Sequence, residues 1–220
     1  GGIAGLLATL PAGIAADATR LKKMIVLLGC LVITVATLLL WYSNQTWTAM
    51  VSQVVAGLAA AFIGPTVAGI TLGLTGQRGF NQQMGRNEAF NHVGNTIAAL
   101  LAGFSAWYWG MGAVFILMTV MAVFAAFATL AIRGNEIDND VARGYEPHEE
   151  RKPALHLSML LRKPALMIAG LTLLLFHLAN AALLPMLSMR VASAGGQAAI
   201  SPGLYAAATV VISQLVMIPA

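Results

Sequence analysis

The chain has 220 residues, of which 59% are hydrophobic and only 9% are charged, with a formal net charge of +4. Ordinary soluble domains are about 25% charged, so a soluble fold of this length is excluded. The charges also cluster, and the apolar stretches between them are long enough to cross a membrane.

In chain order, an incomplete apolar run occupies residues 1–16. Lys23 and Arg78 then enclose 54 uncharged residues, Glu88 and Arg133 enclose 44, Lys163 and Arg190 enclose 26, and 30 follow Arg190. A spanning helix needs about 20 mostly apolar residues, so these stretches hold two, two, one and one spans. Within lipid only helices or closed barrels satisfy the backbone. Barrel strands alternate polar and apolar residues, whereas these runs are continuous. Helices are expected near 1–16 (partial), 24–41, 48–74, 89–109, 112–132, 164–189 and 203–220 (truncated). The fold class is an all-α, polytopic membrane bundle, and both ends read as cuts within a longer protein.

The connectors alternate sides. One side collects Arg20, Lys22, Lys23, Arg78, Arg86, Arg133, Arg143, Arg151, Lys152, Arg162 and Lys163, and the other has Arg190 alone. That asymmetry assigns the first side to the cytoplasm. Trp41, Tyr42, Trp47, Trp107, Tyr108 and Trp109 fall at the opposite helix ends, where amphipathic rings favour the interface. Asn44-Gln45-Thr46 is formally a glycosylation sequon, in a turn too short to give it weight. The expected location is the plasma membrane, multi-pass, which in a bacterium is the inner membrane.

Cys30 is the single cysteine, which excludes disulfide frameworks and cysteine-rich metal sites. The excess of basic residues is not interleaved with aromatics, so no nucleic-acid partner is expected. Neither a metal nor a cofactor is expected. Residues 133–163 hold six of the eight acidic residues. Gly134, Asp138, Asp140, Gly144, Pro147 and Pro153 make the first part of this segment a flexible, solvated hinge. Residues 155–163 suit a short amphipathic surface helix.

Pro11-Ala12 closes the first apolar run, and Pro219-Ala220, 208 residues later, closes the last. Six intervening spans and a charged linker fit two six-helix halves. At this point a resemblance enters. Gly13-Ile14-Ala15-Ala16-Asp17-Ala18-Thr19-Arg20-Leu21-Lys22-Lys23 resembles the cytoplasmic loop motif of the major facilitator superfamily: Gly, three residues, Asp, then basic residues. Gly13, Asp17, Lys22 and Lys23 match; Ala18 replaces a usual basic residue, and Arg20 stands where a second Gly is usual. The resemblance implies that the chain runs from that family's second helix to its eighth. Residues 1–132 then belong to the N-terminal bundle, 133–163 to the central linker and 164–220 to the C-terminal bundle. It also implies a transporter. Gln53 lies where many proton-coupled members carry Arg. Residues 94–103 lack the antiporter Gly-Pro pair, and Gly64-Pro65 reads as a local kink.

Polar groups inside a bilayer are costly and mark functional candidates. His177 and Asn180 lie three apart on one face of the sixth span, with Pro185 beyond them. By resemblance this helix lines the central cavity, as does the helix carrying Gln53. His177, titrating near neutral pH, suits proton coupling. Glu88, Asn91, His92 and Asn95 form a stripe that a wet helix end explains, while Ser213 and Gln214 have no assignment. No catalytic motif is present, so an enzyme is not expected. The expected function is secondary transport of a small solute by alternating access, ion- or proton-coupled, efflux included. The alternative is a non-transporting receptor or scaffold on the same fold. Expected partners are the lipid bilayer, a small-molecule substrate and protons, with a functional monomer when full length.

Overall fold

The computed structural model describes residues 2–43, 45–145, 163–181, 186, 189, 190, 193 and 202–217. Among these residues, six α-helices follow one another: α1 (Gly2–Ala18), α2 (Lys22–Tyr42), α3 (Thr46–Trp109), α4 (Met111–Ala131), α5 (Pro164–Ala181) and α6 (Pro202–Met217). Between α4 and α5, the described residues include two short 3-10 turns, Gly134–Glu136 and Val141–Arg143. Among the described residues, α2, α3 and α4 are each long and apolar enough to cross a membrane.

The 64 residues of α3 would extend about 96 Å if straight, three times a bilayer core. It is instead a hairpin of two arms. Gly76 has φ 65° and ψ 176°, a conformation open to glycine because it lacks a Cβ. Across that break Asn87 Nδ2 donates to Thr71 Oγ1 at 3.0 Å, 16 residues away. A straight helix would hold these residues about 24 Å apart.

This differs from the expected loop between the third and fourth spans. Residues 77–88 contain no proline, and once the hydrogen-bond ladder restarts beyond Gly76 each residue adds a bond. Charges mark where the membrane ends, which is not where the helix ends. At Pro65 the dihedrals stay helical, and the neighbouring, fully buried Thr66 returns its hydroxyl to Phe62 O at 2.6 Å.

Helices α1 and α2 pack on the first arm of α3, α4 lies beside α2, and α6 lies against the second arm. The contacts use small residues. Ala8, Ala12 and Ala16 form a buried stripe on α1 at four-residue spacing. It continues to Gly5, where an added Cβ would come within 3.3 Å of Gly57 O on α3. Gly29 of α2 fits against Ile63 at 3.0 Å in the same sense. Ser52 donates to Ala36 O, joining α2 to α3. Large apolar side chains such as Leu28, Phe104, Phe124 and Phe127 point outward. That inverted arrangement suits a lipid solvent, where backbones approach through small residues and nothing drives leucine inward.

The two ends of the bundle are chemically different. At one end Trp41 stacks on Phe115 with centroids 6.0 Å apart, and Phe104, Trp107, Tyr108 and Trp109 cluster nearby in sequence. Gly110, with φ 82°, makes the turn there from α3 into α4. The other end gathers Lys22, Lys23, Arg133 and Arg143.

Candidate functional site

The basic end is built on helix termini. Helices α1 and α4 and the first arm of α3 all finish there, so their last carbonyls converge with no intrahelical donors left. Such termini carry partial negative charge and attract cations. Lys22 Nζ donates to Ala16 O at 2.5 Å and Thr19 O at 3.2 Å, closing α1. Arg143 Nη2 adds a bond to Ala18 O at 2.7 Å. Lys23 Nζ reaches Leu130 O at 3.1 Å and also Ile132 O, closing α4. Only 1% of Lys22 is exposed, so its ammonium rests almost wholly on these carbonyls.

The predicted loop residues are therefore divided. Lys22 and Lys23 serve as helix caps, while Arg20 and Asp17 are exposed. Asp17 and Arg143 both act on Lys22 electrostatically. An added Cβ at Gly13 would meet nothing within 4 Å among the described residues; close approaches to other segments are made at Gly5, Gly29, Gly73 and Gly103 instead.

The expected hinge also differs from the structure over residues 133–145. Ile137 and Ala142 are buried, and Asp138 N donates to Gly73 O at 3.0 Å. Turn-forming residues predicted flexibility, but the same turns present two apolar side chains to α3. Residues 146–162 lie outside the described residues.

Gln53 is exposed on the first arm of α3, beside an open, mainly apolar depression of about 730 Å³ lined by Trp47, Met50 and Val54. His177 and Asn180 fall on α5, but their side chains lie outside the described residues. Of the three predicted cavity residues, Gln53 is the one whose side chain is described. A separate polar crossing bridges the α3 arms: Gln83 Nε2 donates to Asn87 Oδ1 at 2.9 Å, and Asn87 to Thr71. It borders a void of about 360 Å³ between α2, α3 and α4. Among the described residues no cluster of His, Cys, Asp or Glu suits a metal ion.

The most informative polar contact joins α3 and α6, which precede and follow residues 133–163. His92 Nδ1 lies 2.7 Å from Gln214 Oε1, and Asn95 Nδ2 donates to the same oxygen at 3.3 Å. Asn91 continues the chain, donating to Glu88 Oε2 at 3.2 Å and accepting from Asn95 at 3.4 Å. Farther along the seam, an added Cβ at Gly103 would sit 2.9 Å from Ala207 Cβ. The stripe at residues 88–95 was visible in the sequence, as was an isolated Gln214 in an apolar run. Their pairing, 122 residues apart for His92, was not.

The Major Facilitator Superfamily model matches residues 1–220. Two curated relatives from Mycobacterium tuberculosis strains, both described as MFS-type transporters, are 37% identical over 188 residues. Each alignment covers 84% of this chain and 45% of the relative. An MFS-type transporter of Schizosaccharomyces pombe is 28% identical over 142 residues, covering 63% of this chain and 31% of its own length. The chain thus spans about half the length of the mycobacterial relatives. No solved structure matches it. Inverted packing, segregated end chemistry and a family match over every residue agree: this chain belongs to the major facilitator superfamily, and it is membrane-embedded and multi-pass.

Proposed function

We propose that the full-length protein moves a small solute across the membrane by alternating access, with two helical halves rocking about a site near mid-bilayer. The observation that carries this reading is the seam between α3 and α6. Helices on either side of the linker meet directly, through a glycine at one place and polar side chains at another. Polar contacts between membrane helices average about 0.6 kcal/mol, weak enough to break and re-form in a cycle. The sequence contains no Walker loop, so an ion or proton gradient is the proposed energy source. Counterflow of labelled solutes into vesicles carrying the full-length protein tests the reading. Vesicles that bind a solute but never exchange it would turn the protein into a receptor on the same fold.

Within that reading His177 and Asn180 face the solute path, with Gln53 contributing from α3. Both residues of the pair lie on one face of α5, and a lipid-facing position would cost several kcal/mol without a partner. The His177→Ala/Asn180→Ala variant is expected to lose at least about tenfold in initial exchange rate at equal insertion. If His177 carries the proton, pH dependence between about 5.5 and 7.5 disappears with it, the range around histidine's ordinary pKa. Normal exchange by the double variant assigns the pair to packing.

The basic end is proposed to face the cytoplasm, on the asymmetry of Lys and Arg. An impermeant maleimide applied to intact cells should leave a Glu146→Cys variant unmodified while labelling a cysteine placed at Gln45. The opposite pattern reverses the orientation.

A further inference from the structure

Residues 133–145 follow α4 and lead toward the second half, yet they are built onto the first. Asp138 Oδ1 accepts from the backbone N–H groups of Asp140 and Val141 at 2.9 and 3.0 Å, which folds the segment into a compact turn. Arg133 and Glu136 pair at 3.1 Å on its exposed side. Its inner side carries Ile137 and Ala142, 8% and 3% exposed. Ile137 joins a small apolar cluster with Val26 of α2 and Ile70 of α3.

The seat beneath it is Gly73, one of the last four residues before the Gly76 break. A carbonyl there lacks a helical donor, and Asp138 N supplies one at 3.0 Å. An added Cβ at Gly73 would fall 2.8 Å from Asp138 O, 2.9 Å from Ile137 Cγ2 and 3.0 Å from Ala142 Cβ. Two of these atoms are backbone or fixed to it, so only glycine admits the segment this closely. One turn earlier, the Cβ position of Gly69 lies 3.5 Å from the Lys22 stem and 3.7 Å from Ala142 O. Finally, Arg143 reaches across to Ala18 O at the end of α1. The segment therefore touches α1, α2 and α3 together, and it covers the buried Lys22.

We propose that residues 133–145 form an intramolecular strap that locks the ends of α1 and the first arm of α3 together through the Gly73 seat and the Arg143–Ala18 bond, and so moves with the first half as one body. Docked, the strap holds α1 at a set distance from α3 and keeps Lys22 on the α1 terminus. Released, it exposes two apolar side chains and frees Gly73 O and Ala18 O. This device does not depend on the transport reading, since its readout is local protection rather than flux.

Hydrogen exchange followed by mass spectrometry on the full-length protein tests it. Amides of residues 137–143 in the unmodified protein are expected to exchange at least about tenfold more slowly than in the Gly73→Val variant, as a local unit that opens independently. Trypsin should cut after Arg143 in the variant and spare that bond in the unmodified protein. Ala142→Glu places the disruption on the strap and alters no membrane helix, so it decides the matter if Gly73→Val fails to insert. Equal exchange of residues 137–143 in the unmodified protein and Ala142→Glu, with α3 amides protected in both, would overturn the strap.

Discussion

Gly103→Leu in the full-length protein is expected to slow initial exchange by roughly 5- to 150-fold while leaving insertion intact. Position 103 is where the second arm of α3 comes closest to α6, and the Cβ of any larger residue would start 2.9 Å from Ala207 Cβ. Favourable carbon–carbon contact lies at about 3.5–4.0 Å. Ala207 has no rotamer with which to yield, so the helices themselves must separate. Overpacking of this kind costs about 1–3 kcal/mol, which biases a two-state seam against its closed form by roughly 5- to 150-fold. The remaining carbons of leucine add to the bulk that the seam has to accept.

Gln214→Leu, by contrast, removes one acceptor from His92 and Asn95, and the expected loss is near the 0.6 kcal/mol average for such contacts. The proposed cycle needs α3 and α6 to meet, so the steric change should dominate the polar one. Initial rates of counterflow, normalised to protein in the vesicle, measure both. Full activity in Gly103→Leu is incompatible with a seam of this geometry and would remove the observation on which the transport reading rests.

Lys22→Met is expected to lower the melting temperature of the detergent-solubilised protein by roughly 2–12 °C. Methionine keeps most of the aliphatic stem against Gly69 but loses the ammonium that caps Ala16 and Thr19. The orphaned carbonyls sit at a nearly sealed helix end, where an unmade hydrogen bond costs about 1–3 kcal/mol. For chains of 150–250 residues each kcal/mol corresponds to about 2–4 °C. Lys23→Met is the comparison: Lys23 is half-buried, and water can replace part of what it gives to α4, so its shift should be smaller. Equal melting of Lys22→Met and the unmodified protein would mean that the α1 terminus is satisfied without the lysine.

Much of this architecture is legible along one dimension. Lipid requires each spanning segment to satisfy its own backbone, so an apolar run of sufficient length between charges has little choice but to be a helix. The observed α2 and α4 lie within two residues of the expected spans 24–41 and 112–132. The separation of tryptophan from lysine and arginine likewise follows from each residue's own preference for an interface or a helix terminus. Two features escaped because hydropathy does not report helix continuity or turn docking. Residues 77–88 look like a loop by charge but form helix after a single glycine break. Residues 133–145 look like a hinge by composition but dock because Gly73 offers a seat and an open carbonyl.

The lateral contacts escaped for a different reason. In lipid the leucine-rich faces of all the helices are energetically alike, so apolar patterning does not say which helix packs on which. Neighbours are chosen by small residues and isolated polar groups, and each of these is generic until its partner is known. Gln214 alone is a polar residue in an apolar run, and His92 alone is a histidine near a helix end. Only when α6 lies along α3 do they share a hydrogen bond, with Gly103 and Ala207 setting the distance between the two helices. Segment length and charge are properties of the chain taken one window at a time. The seam and the strap depend on distant residues arriving at one place, and that is a property of the folded bundle.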